Sequence, residues 1–386
     1  MTFAWVDSSR AAFLDPTATA RRELMVDVWY PTSGRAHGSA PYLPNLDLLR
    51  RVQGDSAARR RFAPAYALIE AGQLATHAVE GASPECPRAG CPVVVFSHGG
   101  GVDRSSYTTQ YEDLASHGYV VVSVAHTFNT HLVLFPDGRL VRSVPQPLDT
   151  EPVDTTLPRW RQELVRESRQ DVYLRRVFDV EAADIRFVIG RLVDGAGRVT
   201  VDPNRIGAAG HSAGGEAAAR ACQIDSRIRS CLNQDGAIHG LPFSRDAAGR
   251  TLRQPFLYFT RVVPRPSEPD EALKAMQITR VELDSLLEDV WTGPVRLLSD
   301  MPGGAYRVSL NTPGMTHMSF SDEPLLQAVG DSIKTADARL ILALVTEYTR
   351  AFFDRTLLAK RDTRLDQRGA RDPVIVERFS PRTSRP

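Results

Sequence analysis

The pentapeptide Gly210-His211-Ser212-Ala213-Gly214 constrains this chain more than any other segment. A short apolar run, Ile206 to Ala209, leads into it, and an alanine-rich run of helical character, Glu216 to Cys222, leads out. The pattern predicts a strand, a tight turn and a helix, with one serine at the apex of the corner. Gly210 and Gly214 fit a turn so cramped that a Cβ at either place would meet neighbouring backbone. A helix that starts just after Ser212 points its positive end at the serine and favours negative charge there.

The rest of the chain supplies further strands and helices. Leu24 to Tyr30 alternates and stops at Pro31, a strand pattern. Residues 32–90 are rich in Gly, Pro, Ala and Arg, with a helical patch from Ala58 to Leu74. Val93 to Phe96 and Tyr119 to Val124 read as buried parallel strands, with a helix from Tyr107 to Ser116 between them. Residues 125–157 read as loop, and Pro158 to Val193 as a helix with arginines on its polar face. Strands follow at Ile228 to Gln234, Phe256 to Phe259 and, as the last of the sheet, Tyr306 to Leu310. Residues 261–300 interrupt this order as an insertion over the site's rim, with a charged helical stretch from Arg280 to Glu288. Ile341, Leu344, Val345, Tyr348 and Phe352 recur at helical spacing. The reading is one domain over 1–360, with cap segments at about 125–185 and 261–300, and a polar, arginine-rich, loosely held tail at 361–386.

Composition excludes several partners. The chain has 386 residues, 42% hydrophobic and 24% charged, with 47 Lys and Arg against 46 Asp and Glu. That balance gives no basic face for nucleic acid. No apolar run approaches the roughly 18 residues of a membrane span, and the first residues lack the pattern of a signal peptide. The four cysteines form two close pairs, Cys86/Cys91 and Cys222/Cys231. As disulfides they suit an oxidising compartment and a secreted mature form; as free thiols they suit the cytoplasm, and the spacing leaves both open. No metal-binding spacing is present. Composition does not set the oligomeric state.

A serine hydroxyl needs a base beside it, usually a histidine oriented by a carboxylate. In the strand–turn–helix setting of this motif, the chain order is Ser, then Asp or Glu, then His. Asp235 ends the strand after the elbow helix, at the sheet face where such folds bind ligands, and His317 follows the last strand in a glycine-containing loop. Asp235 capping the turn before Gly236 is the plainer alternative. Asp322 is a rival carboxylate and His239 a rival base; His211 packs behind the elbow. His126 and His131 either line the pocket or serve the structure. Acyl transfer also needs donors for a developing oxyanion. Ala213 N–H is one candidate. The other comes from Ser97-His98-Gly99-Gly100-Gly101, with Gly100 first and Gly101 as the alternative; His98 shapes this loop.

These segments resemble the platelet-activating factor acetylhydrolase family, plasma and type II, and its bacterial relatives. Val95-Phe96-Ser97-His98-Gly99 resembles its oxyanion strand and loop, and Leu114 to Val121 the following helix end and strand. Ile206 to Gly215 resembles its elbow, Thr316 to Asp322 its histidine loop, and Val28-Trp29-Tyr30-Pro31 an early strand. The resemblance implies an α/β-hydrolase fold, with a mostly parallel central sheet, helices on both faces and inserted cap segments. It implies a serine hydrolase of lipid or small-molecule esters without metal or cofactor. Ser212 is then the nucleophile, Asp235 the acid and His317 the base, with Gly100 and Ala213 as oxyanion donors. Ala213 replaces the aromatic residue that often follows the family's serine, and a smaller neighbour opens the acyl site. The expected activity is a carboxylesterase or lipase. A phospholipase releasing short acyl groups, a polyester hydrolase and an inactive binding protein are the alternatives.

Overall fold

The computed structural model describes residues 1–13, 20–33, 38–54, 56–144, 152–238, 251–262, 270–366 and 373–380. Eleven strands are present among them: β1 (Thr2–Ala11), β2 (Arg21–Trp29), β3 (Cys91–Ser97), β4 (Val120–Ala125), β5 (Leu132–Leu134), β6 (Leu140–Arg142), β7 (Val201–His211), β8 (Ile228–Gln234), β9 (Phe256–Arg261), β10 (Ala305–Leu310) and β11 (Val374–Phe379). Nine of them build one sheet in the order β1-β2-β4-β3-β7-β8-β9-β10-β11. The six from β4 to β10 run parallel; β2 and β11 run against them on either side, and β1 pairs antiparallel with β2 at the edge.

Alternation along the strands creates two cores. In β3, Val93 and Val95 face one side, and Val94 and Phe96 the other. Helices α4 (Arg159–Val193) and α5 (Ala213–Ile224) cover the first face through Ile185, Val188, Ala217 and Ala221. Helices α3 (Thr108–Ser116) and α9 (Ser332–Leu357) cover the second through Tyr111, Leu114, Val345 and Phe352. The remaining helices are α1 (Leu46–Gln53), α2 (Ala57–Glu70), α6 (Asp270–Met276), α7 (Arg280–Ser299) and α8 (Glu323–Gln327). This is the α/β-hydrolase arrangement the motifs implied.

The topology sets where a site can form. From β3 the chain crosses to β4 on one side, and from β7 it crosses to β8 on the other. The strand order therefore reverses between β3 and β7, and a crevice opens beyond their carboxyl ends. Register pairs Ser97 with Gly210 there, so the glycine loop after β3 and the corner after β7 leave the sheet side by side.

Several expectations need correction. The sheet does not end at Tyr306 to Leu310, because β11 pairs with β10 from Ala305↔Phe379 to Leu310↔Val374. Part of the tail at 361–386 is thus an edge strand. Its arginine-rich sequence hid it, since only alternate residues of an edge strand are covered. Within 125–157, β5 and β6 form a small hairpin. The first cap segment is not cap throughout, because α4 enters the core from Val177 onward. Its first residue does meet the second insertion: Arg159 N–H donates to Gln277 Oε1 at 3.0 Å. Both cysteine pairs are disulfides, Cys86–Cys91 at the start of β3 and Cys222–Cys231 between α5 and β8.

Candidate active site

The corner after β7 is built by atoms that leave no room for side chains. A Cβ on Gly210 would lie 2.2 Å from Gly214 O, and one on Gly214 would lie 2.3 Å from the carbonyl oxygens of Ser97 and His98. Ser212 itself is held at φ 54° and ψ −124°. A non-glycine residue in such a region costs about 1–3 kcal/mol, and the surrounding structure must enforce it. The enforcement is visible: Ser212 N–H continues the sheet ladder to Gln234 O at 2.8 Å, and Gly215 N–H returns to Ser212 O at 2.9 Å. The serine stands at the N-terminus of α5, whose positive end faces the crevice.

Asp235 occupies the equivalent place one strand along. It follows β8 at φ 53°, and its N–H continues the ladder to Phe259 O at 2.8 Å. Gly236 brings this turn against the elbow, since a Cβ there would lie 2.3 Å from Ser212 O. The Asp235 carboxylate accepts from His317 Nδ1–H at 2.7 Å, from the Thr260 hydroxyl at 2.8 Å and from Arg261 Nε at 3.0 Å. Burial opposes its ionisation. The bonds from His317 and Thr260 and the charge of Arg261 outweigh that effect and hold its pKa below the ordinary carboxylate value. Its side chain is 7% exposed, against 40% for His317, so the imidazole alone is open to an incoming molecule. A carboxylate at Nδ1 places the proton there and leaves Nε2 as the basic nitrogen.

His317 is fastened to the elbow through its neighbour in space, His211. His211 Nε2–H donates to the His317 carbonyl at 2.9 Å, and the two rings lie 4.6 Å apart. His211 is fully buried; burial first, then the nearby His317, lowers its pKa to about 3, so the ring is neutral. Across the crevice, Gly100 faces Ala213: a Cβ on Gly100 would lie 3.6 Å from that of Ala213. The alternative donor, Gly101, already gives its N–H to Asn129 O at 2.8 Å, which favours Gly100. His98 supports the loop: its Nδ1–H donates to Gly99 O at 2.8 Å and its Nε2 accepts from His126 N–H at 3.1 Å.

The rival carboxylate falls elsewhere. Asp322 accepts from Tyr42 Oη at 2.6 Å and from Thr109 N–H at 3.1 Å, so it serves the wall between the N-terminal helices and α3. Burial raises its pKa to about 6. His239 lies outside the described residues. His131 lines a cavity of about 480 Å³ between Trp29, Tyr42, Phe62 and the Gly101–Ser106 segment, which none of Ser212, Asp235 and His317 lines.

Sequence reasoning missed a hydrogen-bonded serine–histidine–aspartate chain made by other residues. His126 Nδ1–H donates to Asp184 Oδ2 at 2.9 Å, and Ser97 Oγ lies 2.8 Å from His126 Nε2. All three residues are fully buried, so Ser97 cannot meet a substrate. Asp184 is neutralised by Arg22, which reaches it through Nε at 3.0 Å, and by Arg10 at 2.8 Å. The cluster ties α4, β2 and β4 to the base of the glycine loop, and it is a scaffold. Thr260 and Arg261, which hold Asp235, were also missed. Their signal was a polar pair at the carboxyl end of the strand beside the acid.

Known proteins are similar to the chain in fold and in part of its sequence. Residues 15–134 match the model of the family described as platelet-activating factor acetylhydrolase, isoform II. That span includes the glycine loop and ends before the elbow. A probable 1-alkyl-2-acetylglycerophosphocholine esterase of Arthroderma benhamiae is 24% identical over 299 residues, 74% of this chain and 66% of the fungal protein. The platelet-activating factor acetylhydrolase of Canis lupus familiaris is 25% identical over 181 residues, 43% of this chain and 39% of its own. The chain thus matches less than two thirds of the length of either curated relative. The ferulic acid esterase from Streptomyces cinnamoneus superposes with a TM-score of 0.67 at 28% identity, covering 97% of this chain and 94% of that one.

Proposed function

We propose that this chain, an α/β-hydrolase akin to the platelet-activating factor acetylhydrolases, hydrolyses carboxylic esters through an acyl-enzyme. Ser212 attacks the ester carbonyl while His317 Nε2 takes its proton. Asp235 holds the imidazole and stabilises its charged form. Gly100 and Ala213 N–H groups receive the oxyanion, and α5 adds its positive end. The proton then passes from His317 to the departing alkoxide, which leaves as the alcohol. Water, deprotonated by the same imidazole, cleaves the acyl-serine and restores Ser212. The observation that carries this reading is the 2.7 Å hydrogen bond that His317 Nδ1–H donates to Asp235, from a loop tied to the residue before Ser212.

A simple carboxylesterase is the first reading of substrate. The relatives' names support a second, release of a short acyl group from a phospholipid. Initial rates on nitrophenyl esters of increasing acyl length, beside an acetylated and a long-chain phospholipid, separate the two. The first predicts high kcat/KM on the short nitrophenyl esters and little phospholipid turnover. Preference for the acetylated phospholipid supports the second, and no turnover of any ester contradicts both. The two disulfides support secretion, which export of a tagged chain from its source cell tests.

A further inference from the structure

We propose that Tyr107 and His211 act as one positioning unit that holds the oxyanion loop and the base loop in register around Ser212. The proposal rests on the hydrolase reading above. Three hydrogen bonds in series form the unit. Gly99 N–H donates to Tyr107 Oη at 3.0 Å, Tyr107 O–H donates to His211 Nδ1 at 2.9 Å, and His211 Nε2–H donates to the His317 carbonyl at 2.9 Å. The ends of the series are the residue before the candidate donor Gly100 and the candidate base. Its middle is the residue before the nucleophile.

The proton positions follow from the partners. A carbonyl only accepts, so His211 Nε2 carries the hydrogen. Burial keeps the ring neutral, so Nδ1 is bare and accepts. The Tyr107 hydroxyl therefore spends its single proton on His211 and accepts from Gly99. Rotating the tyrosine hydroxyl or flipping the imidazole breaks two bonds at once. Both side chains are fully buried, so water does not replace a lost partner. There is also no slack: a Cβ on Gly99 would lie 3.2 Å from His211 Nδ1 and 3.3 Å from Tyr107 Oη. Phe320, from the base loop, stacks on His211 at 5.8 Å. The unit touches no reacting atom, and it acts through Gly99 and His317.

The test uses the full chain and the variants Tyr107→Phe, His211→Phe, His211→Gln and the double Tyr107→Phe/His211→Phe. The measurements are kcat and KM on a nitrophenyl ester and Tm. Glutamine keeps a side-chain N–H for the His317 carbonyl. The expected kcat losses are about tenfold for Tyr107→Phe and about 100-fold for His211→Phe, with KM within about twofold. The double variant matches His211→Phe alone, because a severed series cannot be severed again. His211→Gln recovers about tenfold over His211→Phe at a similar Tm. Multiplying losses in the double variant, equal losses in the Gln and Phe variants, or wild-type kcat throughout overturns the proposal while leaving the hydrolase reading intact. A wild-type chain without esterase turnover overturns both.

Discussion

Asp235 and His317 meet through a single 2.7 Å hydrogen bond, although 82 residues of chain separate them. The pair is formed by two strand ends, β8 and β10, that the sheet order places on the same side of the elbow. Thr260 and Arg261 fix the carboxylate from the strand between them. Asp235→Asn keeps the side chain's size but removes the charge and lets the imidazole take the wrong tautomer. The expected loss in kcat is about 10⁴-fold, with an unchanged Tm. Esterase kinetics and a thermal melt check it; a rate within tenfold of wild type moves the acid elsewhere.

Two glycines in the crevice differ in what they tolerate. Gly100→Ala adds a methyl at ordinary contact distance from Ala213, 3.6 Å, with no unusual φ to strain. Gly214→Ala drives a methyl to 2.3 Å from two backbone carbonyls that cannot move apart without opening β3. The first variant folds with a Tm near wild type. The second loses about 3 kcal/mol or more, if it accumulates folded at all. Circular dichroism melts of the two side by side decide whether the elbow is as tight as described.

The buried Asp184 carboxylate balances Arg22 and orients His126. Asp184→Leu leaves the Arg22 guanidinium, 1% exposed, without its counter-charge. Removing one partner of a buried pair costs about 3–5 kcal/mol. Urea unfolding measures it, and a midpoint shift worth less than about 1 kcal/mol contradicts the scaffold role.

Glu216, one turn beyond Ser212, has its pKa raised to about 8 by burial first and then by Asp171 and Glu181. Its unfolded value is near 4.5. Between these values the folded chain holds a proton that the unfolded chain releases. Stability from this group is therefore complete below pH 4.5 and declines as pH rises through 8. Glu216→Gln removes that decline. The variant is expected to match wild type at pH 5 and to exceed it at pH 8 by on the order of 1 kcal/mol or more. Urea midpoints at the two pH values test the sign, and a variant less stable at pH 8 than wild type contradicts it.

Much of the architecture was legible because parallel strands and glycine corners leave strong local marks. Val93 to Phe96 and Tyr119 to Val124 are apolar on both faces, which only a covered sheet requires. Gly210, Ser212 and Gly214 mark a corner by sterics alone, and chain order then points to Asp235 and His317. Edge strands were less visible: β1 and β11 have one face in water, so their composition resembles loop. Thr260 and Arg261 left only a polar pair at a strand end as their mark, and nothing local to Tyr107 announces partners so far away in sequence. That Gly101 gives its N–H to the Asn129 carbonyl was equally hidden, because only the folded chain brings the two together.

The central claim is that Ser212 is the nucleophile of an esterase. A fluorophosphonate probe, with the labelled peptide identified by mass spectrometry, tests it most directly. The account predicts one adduct, on Ser212, formed as esterase turnover disappears; Ser212→Ala then lacks both the adduct and turnover, the latter by about 10⁶-fold. Turnover that survives in Ser212→Ala, or an adduct on another residue that accounts for the lost activity, would contradict it.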